Sequence, residues 1–350
     1  LKGSITRSVA DTQQAGLIDL VHQSVAQCAT ADGELSVREL ARTLTNSELY
    51  FLLTGERLQL DKTLARALSE YQRITFNVLV LGKWPRVALY SPHYMISKCR
   101  SLAFVRRLRR QYHKAPPQQG FYKAVLEQHR AHPERRDSDL DFAFLAPFWA
   151  GLDTLGASFA FLIQEVVHNP QLHHRVRAEV DHAVRDTDSD SIPPAEELRK
   201  LPDLFGLCME ILRLYPVGFG NGRRAARDFT FAGHSIPKGQ DLLVLTTATH
   251  FDSRHFPRPE NFDIERYRPP RNEHRNKYAF NPYGRGPHIC LGAAMAESMM
   301  LTTVATLLHC YDFDAVQQGK RYPIIFDPSP TLSSAFRVRL SRRNNRRDVY

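Results

Sequence analysis

Apolar residues recur at helical spacing through the first two thirds of the chain, as in Leu17, Ile18, Leu20, Val21 and Val25, and again in Val37, Leu40, Ala41 and Leu44. Ser36 precedes the second run and Glu39 follows three residues later, which predicts a capping box at its start. Trp84-Pro85 and Ser91-Pro92 interrupt the next stretch and predict a turn. Beyond it, Tyr94 to Tyr112 reads as a helix with a basic face of Arg106, Arg107, Arg109 and Arg110. From Phe142 to Ile163 the chain is apolar for 22 residues with Asp153 as its single charge, a length that would suffice to span a bilayer. Asp153 would be costly in mid-membrane, however, and Pro147, Gly151, Gly156 and Ala157 favour close packing inside protein. The expectation is a long buried central helix over about 139–168, ended by Asn169-Pro170. Strand-like segments are expected at Arg223 to Phe231, at Ile236 to Gly239 after a turn at Gly233, and at Leu242 to Thr247. A last helical run covers Ala293 to Leu308. The predicted class is mainly α with small β-sheets.

Composition narrows the picture. With 43% hydrophobic and 24% charged residues and no internal repeat, residues 1–350 read as one large unit. Cys28, Cys99, Cys208, Cys290 and Cys310 are scattered, with no CxxC spacing, so neither a zinc site nor a disulfide framework is indicated and a reducing compartment fits. The chain carries 47 Lys and Arg against 37 Asp and Glu, a net charge of +10, part of it in the tail Arg342, Arg343, Arg346 and Arg347. The basic run at Arg106 to Arg110 reads as a solvated helix face, because no nucleic-acid motif accompanies it. Nucleic acid is therefore not expected as a partner. Leu1 opens into polar, helix-like sequence without signal-peptide character.

Candidate chemistry centres on Tyr283 to Gly292, a loop over about 280–292 that presents Cys290 just before the last helix. Gly284 and Gly286 allow a tight turn, and Gly292 lets backbone pass close under a flat cofactor. A thiolate there can accept backbone N–H groups from the loop and the helix start, which lowers its pKa and makes it a metal ligand. Taken alone, a free cysteine is more often a small buried hydrophobe. The flanking residues change that reading. The loop resembles the haem-binding loop of the cytochrome P450 family: an aromatic, Gly, any, Gly, any, His or Arg, any, Cys, any, Gly. Tyr283 stands where the family usually has Phe, and His288 falls on the basic position that holds a haem propionate.

Three further segments carry the resemblance. Ala150-Gly151-Leu152-Asp153-Thr154 is similar to the family's oxygen-activation segment, which implies a helix bulge at Gly151, a proton-donating alcohol at Thr154 and a proton relay at Asp153. An isolated Asp-Thr pair satisfied by its own helix backbone is the competing reading. Glu210 and Arg213, three apart on one helix face, precede Phe262-Asp263-Ile264-Glu265-Arg266-Tyr267, which is similar to the family's Phe-x-Pro-Glu-Arg-aromatic segment with Ile264 replacing Pro. The resemblance implies a buried ion network of Glu210, Arg213 and Arg266 behind the cysteine loop. Arg223 matches a residue that pairs with a haem propionate, with Arg224 as the alternative if the register slips. Ala150, Val217, Phe219 and Leu332 are expected to border the substrate, and their apolar character suggests a lipophilic one. Phe251 occupies a place that is often Arg in relatives.

The resemblance implies a haem b with Cys290 as axial ligand, and a monooxygenase reaction inserting one atom of O2 into a small lipophilic substrate. Isomerising, coupling or peroxide-using relatives, which need no proton relay, and a non-enzymatic haem-binding remnant are the alternatives. The chain holds no flavin or iron–sulfur motif, so its electrons are expected from an acidic ferredoxin, flavodoxin or reductase, drawn by the net positive charge. Asp153 before Thr154 and the Gly-Pro-His approach to Cys290 suggest a soluble bacterial, cytoplasmic member. Relatives carry a further segment before the point where this chain starts, so an N-terminal truncation is inferred and any membrane anchor there is out of view. Tyr94 to Tyr112 would belong to the mobile helix pair that lids the pocket.

Overall fold

A computed structural model describes residues 7–57, 62–115, 121–187, 191–317, 319–326 and 329–343. Arg346 and Arg347 of the basic tail lie outside them. The helices are α1 (Arg7–Thr12), α2 (Gln14–Cys28), α3 (Val37–Thr54), α4 (Lys62–Thr75), α5 (Pro92–Lys114), α6 (Phe121–Arg130), α7 (Asp137–His168), α8 (Pro170–Arg185), α9 (Ala195–Leu198), α10 (Pro202–Leu214) and α11 (Ala293–Cys310). The strands are β1 (Glu34–Ser36), β2 (Asn221–Arg224), β3 (Phe229–Phe231), β4 (His234–Ile236), β5 (Asp241–Val244), β6 (Tyr311–Ala315), β7 (Ile324–Phe326), β8 (Pro330–Leu332) and β9 (Arg337–Arg342). They form one three-stranded sheet in the order β1-β9-β6 and three two-stranded ribbons, β2-β5, β3-β4 and β7-β8. The architecture is mainly α with small sheets, as the hydrophobic pattern implied.

The central helix α7 organises the rest. Phe144, Phe148, Phe159 and Phe161 are buried along it, and α3, α4, α5, α6, α8 and α10 pack around it. It is long and apolar enough to cross a membrane, yet most of its apolar window is buried in protein. The buried-helix reading holds. Asn169 ends α7, and its side-chain oxygen accepts the Leu172 N–H at 3.0 Å, so the same residue caps α8 ahead of Pro170.

Two expectations about elements fail for local reasons. Ser36 precedes α3 but does not cap it: as the last residue of β1 it pairs with Arg337, and its hydroxyl donates to Ser334 O at 3.2 Å. The expected continuous strand from Arg223 to Phe231 divides into β2 and β3, which join different ribbons. The β3-β4 turn places Ala232 and Gly233 at φ 48° and 82°.

Candidate active site

Four elements converge on a cavity of about 250 Å³. The cysteine loop supplies Tyr283, Gly284, His288 and Cys290, and α7 supplies Ala150, Thr154, Leu155 and Ser158 across from it. Val217, Gly218, Gly220, Asn221 and Thr246 close one side, and Leu212, Ala296 and Met300 form an apolar side. Small residues line much of the wall, which leaves a slot that larger side chains would fill.

The loop is built by its glycines. Gly284 and Gly286 sit at φ 70° and 68°, a region that residues with a Cβ avoid. They let the chain fold back so that the Cys290 N–H donates to Tyr283 O at 2.9 Å. Gly292 then starts α11, its carbonyl accepting the Ala296 N–H at 2.8 Å, and a Cβ there would meet nothing within 4 Å. The Cys290 thiol is exposed on its cavity side.

The expected lowering of the thiol pKa is corrected. Burial raises it, and the N–H groups of Gly292 and Ala293 oppose that shift without reversing it. A neutral thiol is therefore the resting form of the protein by itself, and a bound cation is what would deprotonate it. Among the described residues no cluster of three His, Cys, Asp or Glu could hold a metal. A metal at Cys290 must bring its remaining ligands with it, which is what a porphyrin does. A single sulfur facing a slot of small and apolar residues fits a haem.

Thr154 and Asp153 part company. Thr154 lines the cavity and its hydroxyl donates to Ala150 O at 2.6 Å. Asp153 instead lines a separate, water-sized pocket of about 20 Å³ together with Arg38, Arg42 and Thr331. Neighbours on an α-helix diverge by about 100°. The structure thus brings Thr154, but not Asp153, to the cysteine. Nor does Gly151 make a bulge: α7 is α-helical throughout, and Gly151 is where Leu49 of α3 packs, a Cβ there lying 2.6 Å from Leu49 Cδ1.

The substrate-bordering expectations divide as well. Ala150 and Val217 line the cavity, whereas Phe219 does not and offers its carbonyl to the Thr247 hydroxyl at 3.1 Å. Leu332 is fully buried, paired in β8 with Ile324, and off the cavity. Arg224 is committed to Asp241 through two bonds of 2.8 and 3.2 Å, on the face of β2 opposite Arg223. Arg223 shares its face with Asn221, which lines the cavity, and donates to Gly222 O. The register therefore favours Arg223 as the cation nearer the slot.

Behind the loop, Glu210, Arg213 and Arg266 meet with no side-chain exposure above 1%. Arg213 grips Glu210 with two bonds of 2.7 Å, and Arg266 Nε reaches Glu210 Oε1 at 3.2 Å. Two members escaped the sequence. The Tyr267 hydroxyl donates to Glu210 Oε2 at 2.8 Å, and Glu273 pairs with Arg266 at 3.0 Å. A third, His250, joins the network to the loop: its Nε2 accepts the Asn281 N–H at 2.8 Å while Nδ1 donates to Arg213 O at 3.2 Å. Burial drives its pKa down to about 4, so it is neutral and locked in that tautomer. Phe251, beside it, is exposed.

The family model for cytochrome P450 matches residues 38–334. The chain belongs to that family. Among related cytochromes P450, the beta-amyrin 28-monooxygenase of Barbarea vulgaris is 28% identical over 59% of this chain and 43% of its own length. The sterol 14alpha-demethylase of Mycolicibacterium vanbaalenii is 29% identical over 55% of this chain and 42% of its own. The matched region spans about two fifths of the length of these relatives. Among solved structures, the retinoic acid-bound cyanobacterial CYP120A1 superposes with a TM-score of 0.79 at 23% identity, covering 96% of this chain and 75% of that one. The cytochrome P450DA heme domain gives 0.81 at 17% identity, covering 98% and 76%. Both show the cytochrome P450 fold, and membership implies a haem held by a cysteine thiolate.

Proposed function

We propose that this cytochrome P450 chain holds haem through Cys290 and acts as a monooxygenase on a lipophilic organic molecule, with O2 as co-substrate and electrons from a separate protein donor. The observation that carries the reading is the lone Cys290 sulfur facing Thr154 across a slot of small and apolar residues. When bound, the haem supplies the iron at which dioxygen is activated. His288 and Arg223 would neutralise its carboxylates, and Gly284 and Gly292 would add no side chain to the site that holds it. The Glu210 network and His250 hold the loop in position from behind.

Thr154 donates its own proton to Ala150 O, which leaves its oxygen lone pairs free to accept from a water in the cavity. Asp153 faces the Arg38 and Arg42 pocket on the other side of α7, where it can exchange protons with solvent. Ala150, Leu155 and Val217 give an apolar substrate wall, with Asn221 and Thr246 as its polar points.

The reduced, CO-bound protein should show the red-shifted Soret band of a thiolate ligand, lost in Cys290→Ser. A pigment unaffected by that change would overturn the reading. In Thr154→Ala, reductant consumption should continue while product falls about tenfold or more. Because Asp153 lies off the cavity, a reaction needing no relay is the second reading, and turnover unchanged in Asp153→Asn would favour it. Failure to retain haem at all would favour a non-catalytic remnant.

A further inference from the structure

Glu48, on α3, is a fully buried acid with no cation beside it among the described residues. Its Oε1 accepts the Thr303 hydroxyl of α11 at 2.7 Å, and its Oε2 is buried without a partner among those residues. An ionised carboxylate accepts through both oxygens, so one hydroxyl satisfies it poorly. Burial pushes its pKa up to about 8, and the Thr303 hydroxyl opposes that only in part. The titratable groups of the helices packed around it are engaged elsewhere. On α2, Asp19 pairs with Arg57 and His22 with the Tyr311 hydroxyl; on α7, Glu165 takes the Tyr215 hydroxyl and Asp153 lines the pocket of Arg38 and Arg42. On α11, Glu297 and His309 pair with Arg199 and Asp181.

The acid stands behind the wall of the slot that faces Cys290. Ala296 and Met300 line that slot from α11, and Thr303 continues the same helix face, about 5 Å beyond Met300 along the axis. From the α7 side the approach is equally close. Thr45, one turn before Glu48, packs against Gly156, its Oγ1 lying 3.5 Å from where a Cβ would be, and Leu155 and Ser158 on that stretch of α7 line the slot. Glu48 is thus held about one helical turn behind the two helices that bound the slot. Across such a buried, largely apolar wall a change of charge is felt more strongly than it would be through water.

We infer that Glu48 is a proton site linked to the redox state of a haem in the slot: Glu48 binds a proton when that group gains an electron and releases it when the electron leaves. This rests on the haem reading above. One electron and one proton move in each direction, the electron from or to the protein donor and the proton from or to solvent, so the charge of the core stays constant. Reduction adds a negative charge to the slot, and an ionised Glu48 with no cation beside it would be repelled by that charge; the reduced protein favours the neutral acid. By reciprocity, reduction is easier while Glu48 is protonated.

Reduction potentials of the haem-loaded protein, read by spectroelectrochemical titration at a series of pH values, test it. The potential should fall as pH rises through about 8, and by about 59 mV if proton affinity differs tenfold between the two redox states. Glu48→Gln removes the titrating group and should remove this fall. Thr303→Val keeps the acid but takes away the bond that lowers its pKa, so the fall should persist with its midpoint at higher pH; a purely structural role of the pair would not move that midpoint. The reduced, CO-bound form of each protein first shows by its Soret band whether the thiolate is bound. With that band present, the inference is overturned if wild type and Glu48→Gln give the same pH dependence, or if Thr303→Val leaves the midpoint in place. Should Glu48→Gln not retain haem, the Thr303→Val midpoint decides. Absence of the band in the wild type overturns the haem reading, and this inference with it.

Discussion

Gly151 of α7 is glycine because Leu49 of α3 occupies the space its side chain would need: a Cβ there falls 2.6 Å from Leu49 Cδ1. Alanine normally favours a helix over glycine by about 1 kcal/mol. Here that gain is outweighed by overpacking, so Gly151→Ala should destabilise the protein by about 1–3 kcal/mol. Leu49→Ala alone should also destabilise it by opening a void in the core, while the double variant should cost less than the sum of the two. Denaturant unfolding of the four proteins checks this. Additive losses would mean that the two residues do not compete for the same space.

Next to Leu49 on α3, Glu48 has no solvent exposure and takes a 2.7 Å hydrogen bond from the Thr303 hydroxyl, with its second oxygen unpartnered among the described residues. Burial pushes its pKa up from 4.5 to about 8, Thr303 opposing the shift only in part. The fold therefore prefers the neutral acid. Its stabilising contribution is complete below the unfolded value near 4.5, declines as pH rises, and is gone by about 8. Glu48→Gln keeps the shape without the charge, so it should flatten this dependence and stabilise the protein at pH 8 by on the order of 2 kcal/mol or more. Urea unfolding across that window is the measurement. A parallel pH dependence in the variant would show that Glu48 is not the titrating group.

Arg266 contributes through what it would leave behind. Its guanidinium bonds Glu210, Glu273 and the carbonyls of Arg258 and Asn261, all within a buried cluster. Arg266→Ala would leave Glu273 with Arg271 alone, at 2.6 Å, and deprive Glu210 of one of its two cations. The expected loss is about 3–5 kcal/mol, seen as a lowered Tm. Arg266→Lys should rescue little, because a single ammonium cannot span four acceptors that lie around a planar fork. Full rescue by lysine would show that charge, not geometry, holds the segment.

The cysteine loop and the Glu210–Arg213 pair were legible in the sequence because each is local: a turn, a helix start or an i, i+3 pair is set by its own residues. The features that stayed hidden depend on contacts distant along the chain. Gly151 reads as the site of a helix bulge until Leu49 is placed against it. Asp153 and Thr154 are neighbours in sequence, yet a helix rotation of about 100° sends them to different pockets. Leu332 was expected beside the substrate from its place in the family resemblance, but it pairs with Ile324 and is fully buried in the core. The role of His250 is invisible without Asn281 and Arg213, which reach it from 31 and 37 positions away.

Tyr283, where the family usually has phenylalanine, lines the cavity while its hydroxyl is buried without a hydrogen-bond partner among the described residues. Burial holds the phenol far above its ordinary pKa, so it is neutral throughout the accessible range. An unsatisfied buried hydroxyl costs about 1–3 kcal/mol, and Phe fills the same volume without that cost. Tyr283→Phe should therefore raise the Tm of the protein without bound haem. If the hydroxyl gains a partner once haem is bound, the advantage should shrink in the loaded protein, because the wild type then recovers a bond that phenylalanine cannot make. Melting both proteins with and without haem separates these cases. A lower Tm for Tyr283→Phe in the haem-free protein would mean that the hydroxyl is already satisfied there, and that its presence beside Cys290 is structural.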